Sequence, residues 1–406
     1  MKKSILIVVL LLVLAGLGWA GVFYYQNLRG AGPAFLPSNT SPIIPPLKGE
    51  GQGVGLKMPE GFSISIFAKN LPGARVMVAD KDGNIWVSQI SAGKISKLTI
   101  KDGVLKKQET ILTGLNHPHG LAFDPENANV LYFAEENKIT KININSTTGE
   151  LVQNSFGAVR NLPDGGNHYS RTIGFGPDGR LYVSIGSSCN VCRESDEHRA
   201  SIWSLKKDGT DFKQVAKGLR NSVFFVWNKN DGKMWATEMG RDLLGDDTPP
   251  DEVNIIDTSA DKISNYGWPI CYGNNIHDGV FDTNVYIRNP CMEPFELPSH
   301  IDIPAHSAPL GLAFVPSAAG WPADYKNDLF VAYHGSWNRT VPTGYKVVRY
   351  DLDDAGNVLN VIDFIFGWIS GKQATGRPVD IIFDQNGKMY LSDDKAGVIY
   401  KIEYIK

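Results

Sequence analysis

A short unit of two apolar strands around a polar turn recurs six times, and this repeat limits the fold more than any other feature of the sequence. In most copies an apolar strand leads into a turn that contains Asp, Asn or Gly, and the strand after the turn carries an aromatic residue. The copies begin at Val78, Ala122, Gly174, Val226, Ala313 and Ile382. In the third copy Pro177 presets φ and the Asp178-Gly179 pair accepts a positive φ, which predicts a tight turn between two strands.

Most copies continue into a third strand with an alternating apolar pattern. These third strands begin at Gly93, Asn137, Ala200, Tyr345 and Gly397. A three-stranded antiparallel unit that repeats about every 45 to 60 residues is typical of a β-propeller, whose blades bury their faces only against neighbouring blades. We therefore predict an all-β fold, a six-bladed β-propeller over residues 58–406. The alternating segment 61–68 should close the ring as the outer strand of the last blade.

The longest interval between copies, near residues 257–308, shows little strand pattern and contains two of the four cysteines. We interpret it as an insertion in the propeller, and a seventh, degenerate blade is the alternative. The even cysteine count predicts disulfides in an exported protein, most simply Cys189 with Cys192 and Cys271 with Cys291. The Cys-Asn-Val-Cys spacing also fits half of a zinc site, whereas the Arg that follows it excludes the c-type haem signature, which needs a His there.

The N-terminal residues 1–27 predict a membrane anchor. Residues 4–25 are all apolar or small, and at 1.5 Å per residue they span roughly 33 Å, enough for a bilayer core. Two Lys residues precede this stretch, so the positive-inside rule leaves the N-terminus in the cytoplasm and exports the rest. A cleaved signal peptide is the alternative, because residues 15–21 are mostly small. The Pro- and Gly-rich residues 28–57 predict a linker to the propeller.

The overall composition is that of an ordinary globular protein and argues against nucleic-acid binding. The chain is 42% hydrophobic and 20% charged, with a formal net charge of -3. A general nucleic-acid binder normally has a basic excess concentrated on one face. We therefore expect a small molecule, and not a nucleic acid, as the partner.

The six loops that lead into the innermost strands, here called the inlet loops, should meet at one mouth of the central channel of a propeller. Every one of them carries a His or an Arg. In chain order the loops contribute Arg75; His117 and His119; Asn167, His168 and Arg171; Arg220 and Asn221; His306; and Arg377. A ring of such donors would bind an anion with several carboxylates or phosphates through charge-assisted hydrogen bonds. Any one of them could instead simply satisfy carbonyls at the start of a strand.

Two features stand out within and beside this ring. His168 titrates near neutrality in its unperturbed state, which makes it the first candidate for acid-base chemistry. Residues 240–252 follow the fourth copy and place five acidic side chains, with Gly and Pro, in one loop. Carboxylates and free carbonyls are the hard oxygen ligands that Ca²⁺ takes. The loop lacks the spacing of an EF-hand, and a merely solvated acidic loop is the alternative.

Five short segments resemble the soluble quinoprotein sugar dehydrogenases, in particular their sorbosone and pyranose dehydrogenase branch. In chain order they are residues 165–179 (GGNHYSRTIGFGPDG), 218–221 (GLRN), 251–254 (DEVN) with 265–269 (NYGWP), 333–339 (YHGSWNR) and 376–380 (GRPVD). Each segment is short, but their shared order along the chain makes the set specific. Members of this family are six-bladed propellers that use pyrroloquinoline quinone (PQQ) and Ca²⁺. The resemblance implies the same fold and cofactors here.

The resemblance also implies roles for individual residues. His168 would be the general base, with Asn167 beside it. Arg220 and Asn221 would flank the reacting quinone carbonyl. Together with the ring of inlet loops, the resemblance gives a set of cofactor contacts made by His119, Arg171, Arg220, Asn221, His334, Arg339 and Arg377.

The same resemblance extends to the metal and the reaction. Ca²⁺ would be held by the backbone carbonyls of Gly240 and Arg241. Val379 stands where the relatives have a second Arg, a contact that Arg339 would replace. The predicted function is a PQQ-dependent dehydrogenase that oxidises a sugar, an aldose or a related aldehyde or polyol outside the cytoplasm. His168 would take the hydroxyl proton as hydride passes to the Ca²⁺-bound quinone.

Electrons would leave to a separate acceptor, because the sequence has no haem signature. Two other functions remain open at this stage. One is a Ca²⁺-dependent, lactonase-like propeller hydrolase, and the other is a non-catalytic propeller that only binds a ligand. The density of Arg at the mouth favours the dehydrogenase, since a neutral lactone does not need cationic partners.

Overall fold

The computed structural model of the chain describes residues 12–19, 55–145, 148–153, 155–259, 262–294, 296–317, 320–384 and 386–405. From residue 55 onward the described backbone consists of strands, turns and loops, with a 3-10 helix at Ala323–Tyr325. The predicted all-β class is confirmed.

The first half of the propeller contains three blades. The strand β1 (Phe62–Ala68) precedes them. Blade 1 consists of β2 (Ala74–Ala79), β3 (Ile85–Gln89), β4 (Lys94–Lys101) and β5 (Val104–Leu112). Blade 2 consists of β6 (Leu121–Phe123), β7 (Val130–Glu135), β8 (Lys138–Asn143) and β9 (Gly157–Asn161). Blade 3 consists of β10 (Ile173–Phe175), β11 (Leu181–Ile185), β12 (Ser201–Leu205) and β13 (Lys213–Lys217).

The second half contains three more blades. Blade 4 begins with β14 (Phe225–Trp227), β15 (Met234–Glu238) and β16 (Asp251–Ile256). The short strands β17 (Ser264–Asn265), β18 (Cys271–Tyr272) and β19 (Ile276–His277) follow, and β20 (Ile301–Ile303) then completes blade 4. Blade 5 consists of β21 (Pro309–Phe314), β22 (Leu329–Tyr333), β23 (Lys346–Leu352) and β24 (Val358–Phe366). After the hairpin of β25 (Ile369–Ser370) and β26 (Gln373–Ala374), blade 6 consists of β27 (Pro378–Phe383), β28 (Met389–Asp393) and β29 (Val398–Tyr404).

The six blades form a closed ring. The innermost strand of blade 1, β2, contacts the innermost strands of both its neighbours, β6 of blade 2 and β27 of blade 6. The N-terminal strand β1 pairs antiparallel with the last strand β29, with Phe62 opposite Tyr404. The predictions of six blades and of ring closure through this segment are confirmed.

Each blade has four antiparallel strands in its sheet order, so the predicted three-stranded unit was wrong by one outer strand. The outer strands face solvent and carry many polar residues. In β5, for example, the sequence VLKKQETIL is mostly exposed or half-buried. The hydrophobic alternation that marks the three inner strands is therefore weak in the fourth.

The aromatic residue of the repeat packs between blades. The second-strand aromatic of one blade meets, edge to face, an aromatic residue at the end of the next blade's innermost strand. Such pairs are Trp86 with Phe123, Tyr132 with Phe175, Tyr182 with Trp227, and Trp235 with Phe314, with ring centroids 5.9, 5.3, 5.1 and 5.3 Å apart. Edge-to-face pairs contribute about 0.5 to 1.5 kcal/mol each beyond the buried area. The repeat is thus the sequence signature of blade-to-blade packing.

The segment between β16 and β20 is distributed over existing blades. Its strand β17 adds in parallel to β13 at the edge of blade 3, and β18 and β19 form a separate hairpin. A disulfide joins Cys271 to Cys291 across this segment, and a second joins Cys189 to Cys192. Both predicted disulfides are confirmed, and the described part of the segment forms no seventh blade.

Most of the predicted anchor, residues 1–11 and 20–27, and most of the predicted linker, residues 28–54, lie outside the described residues. Residues 12–19 are helical, with exposed side chains. Within the described ranges, no helix has the length and apolar character needed to cross a membrane.

Candidate active site at the mouth of the channel

Two sets of loops form the mouth. One set is the inlet loops, and the other joins the second and third strands of each blade; the latter are here called the shoulder loops. In an antiparallel blade both kinds of loop leave from the same edge, so they share one face. Their contact is direct, since the backbone N–H of Ser187 in the blade 3 shoulder loop donates to the carbonyl of Arg220 in the blade 4 inlet loop, at 2.7 Å.

A cavity of about 200 Å³ lies at this mouth between blades 3, 4 and 5. Its walls combine residues of both loop sets. They are His168, Arg220, Asn221, Met239, Gly240, Asp242, Asp251, His306, Ala308, Trp337 and Asn338. Of the residues predicted for the mouth, the structure brings His168, Arg220, Asn221, Gly240 and His306 together around this cavity.

His168 is held in one orientation and one tautomer. Its Nδ1 lies 2.9 Å from both the carbonyl oxygen and the hydroxyl oxygen of Ser187. The Ser187 hydroxyl donates its own hydrogen to the Cys189 carbonyl at 2.7 Å. Both Ser187 oxygens therefore accept, and Nδ1 must be the protonated nitrogen. This leaves the lone pair on Nε2, the nitrogen that a general base would use.

The surroundings keep this imidazole neutral. Burial, and then the positive charge of Arg220, lower the pKa of His168 to about 3. The hydrogen bond to the Ser187 carbonyl acts in the opposite direction but does not offset them. At neutral pH His168 is therefore an unprotonated base.

The other predicted residues of blades 2 and 3 occupy different environments. Arg171 donates to the carbonyls of His168, Ser170 and Pro163 at 2.8 to 2.9 Å and is fully buried. His119 is also fully buried, with its Nδ1 3.2 Å from the Thr172 hydroxyl. Asn167 has an exposed side chain and lies outside the cavity wall. Arg171 and His119 are thus buried beneath the inlet loops and expose no surface to solvent.

Arg220 is the centre of the polar network that lines this cavity. Its guanidinium donates to the Asn190 carbonyl at 2.8 Å, to the Gly240 carbonyl at 2.9 Å and to the Asp242 carboxylate at 2.8 Å. Asp242 in turn accepts from the Asn338 side chain at 2.9 Å. These bonds fix the relative positions of the shoulder loops of blades 3, 4 and 5.

Sequence reasoning missed three residues of the wall that lie within the quoted segments. Asp251 accepts the backbone N–H groups of Gly240 and Ala308 at 2.9 and 2.8 Å, and burial raises its pKa to about 7. Trp337 and Asn338 come from the blade 5 shoulder loop. The side-chain oxygen of Asn338 is buried, and the described part of the structure offers it no hydrogen-bond partner. Asp251, Trp337 and Asn338 all lie in the segments that resemble the quinoprotein family, and this resemblance was the signal that could have identified them.

A second charged cluster occupies the blade 1, 5 and 6 side of the mouth. Arg75 and His334 both bind Asp394, at 2.9 Å, and Arg377 donates to the His334 carbonyl at 3.1 Å. Burial, followed by the charge of Arg377, lowers the pKa of His334 to about 4. Although burial raises the pKa of Asp394, His334 and Arg75 outweigh it and hold that pKa far below its usual range. The predicted His334 therefore has one nitrogen committed to a carboxylate.

Arg339 and the acidic loop contact each other. Its guanidinium donates to the Asp246 carbonyl at 2.6 Å and to the Asp247 carboxylate at 2.7 Å. Arg339 does not lie on the wall of the 200 Å³ cavity and instead joins the blade 4 and blade 5 shoulder loops. The carboxylates of Asp242, Asp246, Asp247 and Asp251 in this loop all accept hydrogen bonds from protein donors.

The predicted metal position offers backbone oxygens. Gly240 lies on the cavity wall, and a side chain there would come within 2.6 Å of the Pro250 carbonyl, so the position needs glycine. The Arg241 side chain turns away to a buried ion pair with Asp278 at 2.7 Å. The groups of three potential ligands found among the described residues consist of disulfide cysteines with one Glu each, and they do not include this loop.

The fold and the mouth define a class of protein, a six-bladed propeller with a neutral, oriented histidine facing arginine and carbonyl groups in a channel-mouth cavity. The family model described as TrAA12-like matches residues 56–405. The chain therefore belongs to the TrAA12-like family, and the resemblance to quinoprotein sugar dehydrogenases is confirmed.

Relatives cover most of the chain. An uncharacterized protein of Borreliella burgdorferi is 32% identical over 367 residues, which is 86% of this chain and 91% of that protein. The "Pyrroloquinoline quinone-dependent sugar dehydrogenase" of Hypocrea jecorina is 23% identical, over 85% of this chain and 88% of its own length. Among solved structures, the calcium structure of Trichoderma reesei Family AA12 has a TM-score of 0.73 at 20% identity, covering 86% of this chain and 97% of that one. The holo pyranose dehydrogenase PQQ domain of Coprinopsis cinerea has a TM-score of 0.73 at 18% identity, covering 89% and 100%.

Proposed function

We propose that the protein is a PQQ- and Ca²⁺-dependent dehydrogenase that oxidises a sugar or a related aldehyde or polyol. The observation that carries this proposal is the placement of a neutral base, His168, on the same cavity wall as Arg220 and the Gly240 carbonyl. The family and the relative whose name specifies a PQQ-dependent sugar dehydrogenase support the reaction class.

The mouth fits a planar quinone with three carboxylates. Such a ligand needs several cationic donors around one opening, and Arg75, Arg220 and Arg377 surround this one. Arg377 spends two of the five guanidinium N–H groups on protein carbonyls, which leaves three for a ligand. His334 and Arg377 remain predicted cofactor contacts on this basis.

The mouth also fits Ca²⁺. This ion takes oxygen ligands only, and the Gly240 carbonyl on the wall has a lone pair beyond the one that accepts from Arg220. The buried, unpartnered oxygen of Asn338 is a further candidate ligand. Gly240, Arg241 and Asn338 would hold the ion through neutral oxygens, and the bound quinone would add its own.

Three residues of the cavity wall have defined tasks in the proposed reaction. His168 Nε2 accepts the proton of the substrate hydroxyl, while its Nδ1–H stays bonded to Ser187. The five N–H groups of Arg220 already donate to Asn190, Met239, Gly240 and Asp242, so Arg220 would stabilise the oxygen that gains negative charge through its positive charge, and Asn221 would lie beside that oxygen. Arg220 cannot lose its proton to compete with the base. PQQ, when bound with Ca²⁺, supplies the hydride acceptor. The family and the relative named as a PQQ-dependent sugar dehydrogenase favour this reaction over the lactonase alternative.

We further propose that the propeller works outside the cytoplasm and passes electrons to a separate acceptor. Two disulfides in the folded part support an oxidising compartment. The apolar residues 4–25 support attachment to a membrane through the N-terminus. A tagged C-terminus that proteases reach only from the cytoplasmic side would contradict this orientation.

The test of function uses the purified protein with PQQ added, with and without Ca²⁺. We expect a change in the absorption spectrum of the quinone on binding, and reduction of an artificial electron acceptor when a panel of aldoses and polyols is added. Chelation should abolish both, and Ca²⁺ should restore both. Full reconstitution in the presence of chelator would contradict the metal assignment. A spectral change on PQQ binding without oxidation of any sugar would favour the alternative of a non-catalytic propeller that only binds a ligand.

A further inference from the structure

A stacked pair of aromatic rings lies at the mouth, next to the base in the chain but not on the wall of the 200 Å³ cavity, and takes no part in the proton transfer. Tyr169 follows His168 directly, so their Cα atoms are about 3.8 Å apart. The Tyr169 ring stacks on the His117 ring, with centroids 4.5 Å apart and an interplanar angle of 29°. Because His117 belongs to the blade 2 inlet loop and Tyr169 to that of blade 3, the pair bridges two neighbouring loops at the mouth.

A buried carboxylate holds the His117 side of this pair. The Nδ1 of His117 lies 2.8 Å from one oxygen of Glu136, which is only 8% exposed. The other oxygen of Glu136 accepts the backbone N–H of Gly165 at 2.8 Å, in the loop that carries the base. His117 also has a positive φ of 46°, an uncommon conformation for a residue other than glycine. The His117 ring is therefore fixed by contacts that offset local backbone strain.

The Tyr169 side is held by Arg171. This buried guanidinium donates to the carbonyls of His168 and Ser170 at 2.9 Å each, on both sides of Tyr169. One side chain thus sets the backbone of the base and of the ring next to it.

The rings nevertheless stay open to solvent. Tyr169 is 41% exposed, and the His117 side chain is 45% exposed. A ring that is stacked on one side and exposed to this extent leaves part of its surface free for a ligand. Aromatic faces carry partial negative charge and pack against positively polarised C–H groups. One face of a pyranose ring presents such C–H groups, and its hydroxyls point to the rim.

We propose that Tyr169 and His117 form a subsite for a second sugar unit. The substrate class is an oligosaccharide whose reacting terminal unit contacts His168 and whose next unit stacks on this aromatic pair. This inference rests on the proposed sugar oxidation and adds the size of the substrate to it.

The test compares glucose with cellobiose and maltose, which share its reducing unit, on protein reconstituted with PQQ and Ca²⁺. In Tyr169→Ala the ratio of kcat/KM for the disaccharides to kcat/KM for glucose should fall about tenfold, which corresponds to about 1.4 kcal/mol of lost stacking. Tyr169→Phe keeps the ring and should keep the ratio. His117→Ala should lower the ratio in the same direction. The matched control is Phe156→Ala, which removes an aromatic residue that is 53% exposed before β9, at the outer edge of blade 2.

A second readout separates this inference from the function on which it rests. Titration of cellobiose into the cofactor-free protein, followed by the NMR shifts of the His117 ring, which both proteins keep, should give a Kd that rises about tenfold in Tyr169→Ala. If sugars are oxidised but the disaccharide ratio is the same in Tyr169→Ala and Phe156→Ala, the subsite is wrong and the function stands. If no sugar is oxidised but the Tyr169-dependent binding of cellobiose persists, the subsite stands and the oxidation is wrong. An equal loss for glucose and disaccharides, with an unchanged Tm, also overturns the subsite.

Discussion

At the scale of the residue, His168 owes its chemistry to its neighbours. The two oxygens of Ser187 accept from Nδ1 and so place the ring proton on that nitrogen. Burial and the positive charge of Arg220 lower the pKa of His168, so the imidazole stays neutral. The nearby Arg171 is as buried as any core residue, yet it acts through the carbonyls that position this base. A conservative change at any of these positions should therefore affect the base before it affects the fold.

Replacing the base gives the first prediction. In His168→Gln, reduction of the bound quinone by substrate should fall by about 10² to 10⁴, the usual contribution of a general base. PQQ affinity and Tm should change little, because glutamine keeps a donor for the Ser187 carbonyl. Stopped-flow spectra of the quinone, with the Kd and Tm of the same sample, measure all three. A variant that reduces its quinone at the normal rate would remove His168 from the mechanism.

A matched change on the cofactor side gives the opposite pattern. Arg377→Ala should weaken PQQ binding first, because its remaining N–H groups are the proposed partners of a cofactor carboxylate. At saturating PQQ the rate of quinone reduction should stay closer to that of the wild type. The Kd of PQQ is the decisive measurement. An unchanged Kd together with a large loss in the rate of quinone reduction would show that Arg377 acts in the reaction and not in cofactor binding.

The lowered pKa of His168 also predicts how stability depends on pH. In the unfolded chain a histidine binds a proton below about pH 6.5, whereas in the folded protein His168 stays neutral until about pH 3. Between these values the unfolded state holds more protons, so acidification destabilises the fold. Relative to His168→Gln, the wild type should lose about 2 kcal/mol between pH 6.5 and 4.5. Urea unfolding of both proteins at the two pH values tests this, and a constant difference between them would contradict it.

At the scale of the element, the shoulder loops carry as much of the cavity wall as the inlet loops do. The blade 3 shoulder loop holds Ser187, which orients the base, and Asn190, which binds Arg220 through both its carbonyl and its side chain. The Cys189–Cys192 disulfide encloses Asn190 and begins two residues after Ser187. The disulfide therefore constrains the loop that contacts both His168 and Arg220.

The two disulfides should behave differently when removed. Loss of Cys271–Cys291, with a sequence separation of 20, should lower the free energy of unfolding by about 3 kcal/mol, and loss of Cys189–Cys192, with a separation of 3, by about 2 kcal/mol. Only the second loss should also lower kcat/KM at 25 °C, because it frees Ser187 and Asn190. Double Cys→Ser variants of each pair test this. Equal kinetics in both variants would show that the loop keeps its shape without the bond.

Sequence reasoning predicted the strands that pack between blades but not the loops that meet across them. The aromatic repeat and the closing strand β1 leave a periodic signal, so both could be located. The outer strands carry a weaker signal because they face water on one side. Asp394, which pairs with Arg75 from 319 positions away, carries no local signal at all, because its role depends on ring closure. Asn338 and Asp251 lay in recognised segments, but their contacts with Asp242 and Gly240 follow only from the tertiary structure.

At the scale of the whole molecule, closure of the ring links the two ends of the propeller to the mouth. Blade 6 takes its outer strand from the start of the propeller, and its shoulder loop supplies Asp394 to Arg75 of blade 1. The same carboxylate binds His334 of blade 5. The geometry of the basic cluster therefore depends on a complete ring, and weakening the closure should affect cofactor binding at a distance.

Phe62 tests this dependence. Its ring lies on β1 among Trp321, Phe364 and Tyr404, with centroids 4.8, 5.0 and 5.1 Å away, so it anchors the closing strand to blades 5 and 6. Phe62→Ala should lower the free energy of unfolding by about 3 kcal/mol, the lower end of the range for Phe→Ala. The Kd of PQQ should rise as well, because fraying of β1 loosens blade 6, which carries Asp394 and Arg377. Phe156→Ala, which removes an exposed ring, is the control for both measurements. A Phe62→Ala protein with reduced stability and unchanged PQQ affinity would show that the mouth is rigid without full closure.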